Sequence, residues 1–201
     1  MEGSNDYTIK PLGTETWDAF AALVEKHNGV WGGCWCTWFH RGVGRDFGES
    51  PKGYENNRAW KECLVREGRA HAALVCDGDV AVAWCEYGSP QELPHIYHRK
   101  EYEAGLSELP MYRLTCLFVD KNYRRKGVAA VAVQGALDLI AKDGGGLVEA
   151  YPLDTQGAKT SSSYLYNGTR TVFERAGFSY ERPVGKKNCV MRKTVLPSQI
   201  S

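Results

Sequence analysis

Leu114-Thr115-Cys116-Leu117-Phe118-Val119 is an apolar run of strand length. Asp120-Lys121-Asn122-Tyr123-Arg124-Arg125-Lys126-Gly127 follows at once, and then small and apolar residues continue to Ala141. Val133, Leu137 and Ile140 recur at helical spacing, so the segment predicts a buried strand, a basic turn and a helix that opens on small residues. A helix N-terminus carries unpaired backbone N–H groups and a partial positive charge, which together suit a phosphate. Gly127 and Ala129 let a ligand approach the backbone closely, while Arg124, Arg125 and Lys126 add charge around it. The unit therefore predicts a di- or triphosphorylated cofactor. No Gly-Lys-Ser/Thr and no Gly-x-Gly-x-x-Gly is present there, which excludes the two commonest nucleotide loops.

The remaining chain reads as short alternating elements. Tyr7 to Lys10 is a strand stopped by Pro11, and a helix follows with Trp17, Phe20, Ala21 and Val24 on one face. Asn28-Gly29 ends it. A second helix runs from about Glu55 to Glu67, after a glycine-rich loop over residues 41 to 55. Ala70 to Cys76 and Val80 to Tyr87 form a hairpin across Asp77-Gly78-Asp79. Residues 88 to 111, with Pro90, Pro94 and Pro110, read as loop. Beyond the central helix come a strand from Leu147 to Tyr151, a polar loop from Leu153 to Ser163, and a last helix ended by Gly177. Strands over Ser179 to Arg182 and Cys189 to Val195 complete the chain. The order β-α-α-β-β-β-α-β-α-β-β is that of an α/β sandwich.

The 201 residues suit one domain, and no Pro/Ser/Gly-rich linker divides them. With 25 basic against 24 acidic residues, nucleic acid is excluded as the main partner. No stretch resembles a signal peptide or is long enough to span a bilayer, so no membrane partner is expected. Seven cysteines, several inside apolar elements, read as reduced thiols and hence a cytoplasmic protein.

Arg124-Arg125-Lys126-Gly127-Val128-Ala129 resembles Arg/Gln-x-x-Gly-x-Gly/Ala, the acyl-CoA pyrophosphate signature of the GNAT N-acetyltransferase superfamily. Val172-Phe173-Glu174-Arg175-Ala176-Gly177-Phe178 is similar to that family's Leu-Tyr-Glu-Lys-x-Gly-Phe helix ending. The resemblance implies one α/β domain over residues 1–201, with a mixed central sheet that is mostly antiparallel and flanked by helices. Its cofactor core would span about 112–180 and an acceptor-side segment about 28–56. It implies direct transfer of an acetyl or other short acyl group from acyl-CoA to an amine, here of a small molecule, without a metal. Two neighbouring parallel strands, Leu114 to Val119 and Leu147 to Tyr151, would splay to admit the pantetheine arm. Backbone groups of Leu117, Phe118 and Val119 would meet that arm, and Arg124, Arg125, Lys126, Gly127, Val128 and Ala129 the phosphates. Tyr166, Asn167 and Phe173 would complete the cofactor site. The assembly would be a monomer or homodimer.

The catalytic positions depart from the family pattern. Phe173 stands where many relatives place a tyrosine acid, and Arg113 where some hold a glutamate base. Tyr166 is the candidate acid, and Glu149 and Glu86 are the candidate bases. Trp31, Trp35, Trp38 and Phe39 are expected either as an aromatic flap over the acceptor, with Trp35, Trp38, Phe39 and Glu86 contacting it, or as a hydrophobic plug on the sheet. Cys34-Trp35-Cys36 with His40 falls short of the four ligands a structural zinc requires. With both usual catalytic groups replaced, a non-catalytic acyl-CoA sensor or regulatory module is the alternative reading.

Overall fold

In a computed structural model, residues 6–42, 53–155 and 165–199 are described. Strand β1 (Thr8–Pro11) leads through a short 3-10 turn into α1 (Trp17–Lys26), and α2 (Tyr54–Arg66) follows. Strands β2 (His71–Asp77) and β3 (Val80–Gly88) form the expected hairpin, with Gly78 at φ 60° in its turn. The residues from 88 to 111, read as loop from sequence, contain a six-residue helix, α3 (Arg99–Ala104). Its only buried residue is Tyr102, so no apolar period announces it. Then come β4 (Tyr112–Val119), α4 (Val128–Lys142), β5 (Gly146–Ala150), α5 (Arg170–Arg175), β6 (Ser179–Val184) and β7 (Asn188–Val195).

The strands form one seven-stranded sheet in the order β1-β2-β3-β4-β5-β7-β6. Every neighbouring pair is antiparallel except β4 and β5, which run parallel. The sheet is thus the mixed, mostly antiparallel α/β arrangement anticipated from the sequence.

Strand alternation divides the core in two. Ala72, Leu74, Cys76, Trp84, Cys116 and Phe118 face α1, α2 and the segment after α1. Ala73, Val75, Cys85 and Leu117 face α4 and Phe173 of α5. Phe20 and Trp84 are wholly buried and meet edge-on at 5.1 Å. Each such side chain is worth roughly 1.5–3 kcal/mol of burial. No helix among the described residues is long and apolar enough to cross a membrane.

Two loops expected from sequence lie partly outside the described residues: the one over 41 to 55 from 43 to 52, and the one over 153 to 163 from 156 onward. The last helix is shorter than expected. Gly168 adopts φ 70°, and α5 begins only at Arg170, so Tyr166 and Asn167 sit in a turn before it. A left-handed residue cannot continue a right-handed helix, which sets this start.

Candidate active site

The basic turn is shaped by a buried carboxylate at its start. Asp120 accepts from the Asn122 N–H at 2.9 Å and from Lys26 Nζ at 2.6 Å. Burial alone would raise its pKa, but those partners hold the carboxyl below its ordinary value. Arg124 Nε then donates to the Val119 carbonyl at 3.1 Å, folding the turn back on the end of β4. Arg125 at φ 62° and Gly127 at φ 80° reverse the chain into α4. No side chain caps that helix and no acidic residue lies in its first turn. The N–H groups of Val128 and Ala129 find no acceptor among the described residues. Arg124, Arg125 and Lys126 are exposed around this opening, and a Cβ placed on Gly127 would meet nothing within 4 Å. The result is an open cradle for an anion, built from backbone donors and exposed cations.

The same strand borders a gap in the sheet. β4 and β5 pair only at Tyr112–Val148, Arg113–Glu149 and Leu114–Ala150, after which β4 runs on without its neighbour. The Asp120 N–H turns to β3, donating to the Val82 carbonyl at 2.8 Å. By alternation Phe118 faces β3 as well, so only Leu117 and Val119 direct their N–H groups to the gap. This corrects the expectation that Phe118 offers backbone groups there; its ring instead stacks on Trp84 at 4.6 Å. The Leu117 N–H is itself engaged, donating to the Tyr166 carbonyl at 2.7 Å.

The turn that carries Tyr166 is fastened on both sides. Asn167 Nδ2 donates to the Tyr151 carbonyl at 3.2 Å, and Leu153 bridges Thr169. Phe173 is 2% exposed and packs edge-on against Phe178 at 5.3 Å. Asn167 and Phe173, expected at the cofactor, thus lie in and beside this turn, and Asn167 Oδ1 is buried without a partner among the described residues.

A cavity of about 170 Å3 opens beside it, lined by Trp31, Cys34, Cys36, Trp38, Phe39, Tyr97, Cys116 and Tyr166. Trp38 stacks on Tyr97 at 5.7 Å and 19°, Tyr97 meets Tyr166 at 5.8 Å, and Trp31 stands edge-on to Tyr166 at 5.8 Å. The Tyr97 hydroxyl is pushed up by burial and by its hydrogen bond to Tyr166, so it keeps its proton. Trp35, expected in this wall, stands instead in the core, 0% exposed and stacked on Trp17 at 6.1 Å. The cause is local: Trp35 and Cys36 both adopt left-handed φ values, 52° and 53°. That backbone sends the indole inward and leaves Cys36 at the cavity. Asn57 Nδ2 donating to the Gly33 carbonyl at 2.8 Å and Lys61 Nζ donating to the Cys36 carbonyl at 3.2 Å hold it.

Both candidate bases are buried and fully engaged. Glu86 accepts from Lys61 Nζ at 2.6 Å and from the Thr115 hydroxyl at 2.7 Å. Burial opposes its charge, but the Lys61 ammonium outweighs that and holds the carboxyl down at about 2. His40 sits with Nδ1 3.0 Å from the Glu92 carbonyl, so that nitrogen carries the proton. Burial lowers the His40 pKa, and its neutral Nε2 accepts from Lys61 at 3.0 Å. Glu86 does not line the cavity. Glu149 is likewise 0% exposed and accepts from the hydroxyls of Tyr102 at 2.7 Å and Tyr151 at 2.8 Å, and from Arg192 Nε at 2.8 Å. It belongs to a buried ion pair between β5 and β7, not to the aromatic cavity. Arg113 donates to the Leu93 carbonyl at 2.7 Å. With His40 so committed, Cys34 and Cys36 gain no third ligand, and no metal-holding group of three occurs among the described residues.

Sequence reasoning missed Tyr97, Cys116 as a wall residue, and Lys61. Lys61 did leave a trace: it shares the buried stripe of α2 with Asn57, Leu64 and Val65. A lysine there needs a buried partner. Tyr97 left none, lying in a proline-rich stretch without period.

The fold has counterparts among known proteins. The model of the acetyltransferase (GNAT) family matches residues 16–166. Among solved structures, the ribosomal-protein-S5-alanine acetyltransferase of Vibrio fischeri is similar at 12% identity, covering 97% of this chain and 96% of that one, with a TM-score of 0.54. The N-acetyltransferase of Staphylococcus aureus Mu50 follows at 12% identity, 94% and 99% coverage and a TM-score of 0.52. An acetyltransferase of Thermus thermophilus shares 13% identity over 94% and 96%, with a TM-score of 0.50. No curated protein sequence matches the chain. Those structures speak for the fold alone, whereas the family model spans most of the chain, including the parallel strand pair and the basic turn, so this protein belongs to the GNAT acetyltransferase family.

Proposed function

We propose that this protein transfers an acetyl group from acetyl-CoA directly to a primary amine. One observation carries the reading: the parallel pair opens after Leu114 and Ala150, and β4 then runs straight to an uncapped helix N-terminus ringed by Arg124, Arg125 and Lys126. An extended pantetheine with a diphosphate at its far end has the matching chemistry: backbone acceptors and donors along its length, anionic oxygens at its end. The Leu117 carbonyl and the Val119 N–H would hold the arm, and the N–H groups of Val128 and Ala129 the diphosphate. Acetyl-CoA supplies an acyl group already activated as a thioester.

What the chain contributes is position and protons. Tyr166 stands beside β4, tied through its carbonyl to Leu117, with its ring in the cavity wall. Its hydroxyl, backed by Tyr97, would protonate the departing thiolate. Glu86 and Glu149 are committed to ion pairs with Lys61 and Arg192, away from the cavity. The amine therefore enters unprotonated and releases its second proton to water. Tyr166→Phe should lower kcat about a hundredfold while acetyl-CoA still raises the melting temperature as for the wild type. An unchanged kcat would remove the tyrosine from the mechanism.

The engagement of both carboxylates favours a second reading, an acyl-CoA-binding module without turnover. Release of free thiol on adding an amine separates the two. The unbonded thiols of Cys34, Cys36, Cys63, Cys76, Cys85, Cys116 and Cys189 fit a reducing, cytoplasmic setting for either.

A further inference from the structure

The acceptor cavity has a composition that selects its occupant. Trp38, Tyr97, Tyr166 and Trp31 follow one another around the wall at ring-centroid separations of 5.7, 5.8 and 5.8 Å. Cys36 and Cys116 add thiols in mutual contact, and burial pushes the Cys36 thiol well up, so it stays neutral. Among the described residues no charged side chain lines the space. The nearby carboxylate of Glu86 lies behind Thr115 and is neutralised by Lys61. Aromatic faces and soft sulfur atoms favour a flat ring, through offset or edge contacts and through sulfur–aromatic contact. An aliphatic polyamine or a lysine side chain would bring a second charge or a long polar chain into a space that offers no carboxylate. Trp38, 37% exposed, stands at the rim where such a ring would enter.

Building on the acetyl-CoA reading above, we infer that the acceptor is a primary amine carried on a single flat aromatic body by a short linker. The ring would lie between Trp38, Tyr97 and Trp31, and the amine would point to the gap beside Leu117. The transfer forms the N–C(acyl) bond and breaks the C–S bond. One amine proton goes to water, the thiolate takes its proton from Tyr166, and Tyr166 regains a proton from water.

The test uses the full chain with acetyl-CoA and amines of similar basicity: phenethylamine and tryptamine against putrescine and Nα-acetyl-lysine amide. Thiol release should give kcat/KM about a hundredfold higher for the two aromatic amines. Trp38→Ala should raise KM for phenethylamine about tenfold and Trp38→Phe should restore most of it. A melting shift with acetyl-CoA shows that each variant is folded. If acetyl-CoA shifts the melting temperature but the aliphatic amines react as well, or none of the four reacts, the inference is overturned and the donor reading stands. A preference that survives Trp38→Ala overturns it too. No shift with acetyl-CoA in the wild type overturns the donor reading, and this inference with it.

Discussion

Glu86 is a carboxylate with no exposed surface, and its stability depends on one ammonium. Removing either member leaves the other charged and desolvated, at a cost of roughly 3–5 kcal/mol. Lys61→Met and Glu86→Gln should each lower stability by that order in urea unfolding, and the double variant should recover part of the loss. Acid should expose the same pair. The folded value is about 2, against about 4.3 for an unfolded glutamate. Its stabilising contribution is therefore whole above pH ~4.3 and is lost as pH falls toward 2. Glu92, held down at about 2 against burial by His71 and Ser89, titrates in the same window. Unfolding midpoints across an acid series check this, and Glu86→Gln should flatten part of the slope. At this scale the sequence was unevenly legible. The turn from Arg124 to Ala129 could be read because contiguous residues set its path from β4 into α4. The Lys61–Glu86 pair could not, since it joins a helix to a strand and neither residue signals the other.

At the scale of elements, two glycines show how turns build the site. Gly168 sits at φ 70°, and a Cβ there would stand 2.9 Å from Leu117 Cδ2. Gly168→Ala should therefore cost about 1–2 kcal/mol for the left-handed backbone and also push Tyr166 off β4, so that kcat falls with the melting temperature. Gly127 has a similar left-handed conformation, φ 80°, but a Cβ added there would meet open space. Gly127→Ala should cost only the backbone term in stability and weaken acetyl-CoA binding, read as a smaller ligand-induced melting shift. Elements were legible where apolar spacing persisted, as in α1 and α4. They were not where one turn sufficed: α3 buries a single tyrosine, and Gly168 cut the last helix before its apolar pattern could show it. Trp35 was misplaced for a related reason. An aromatic in a glycine-rich segment reads as a flap until two left-handed residues turn it inward.

For the whole molecule, the class and the element order apart from α3 could be anticipated, but not the placement of β7 between β5 and β6. Hydrophobic alternation marks a strand as half-buried and leaves its partner unspecified. That placement makes the sheet two blocks, β1 to β4 and β5-β7-β6, joined through three residue pairs of β4 and β5. Such a seam is where cooperative unfolding divides. Native-state hydrogen exchange should resolve two opening units, with the amides of β5, β6 and β7 exchanging before those of β2 and β3. A ligand spanning the seam would act as a clasp between them. Saturation to about a hundred times Kd adds about 2.7 kcal/mol, and that gain should fall mainly on the faster block, bringing the two exchange rates together.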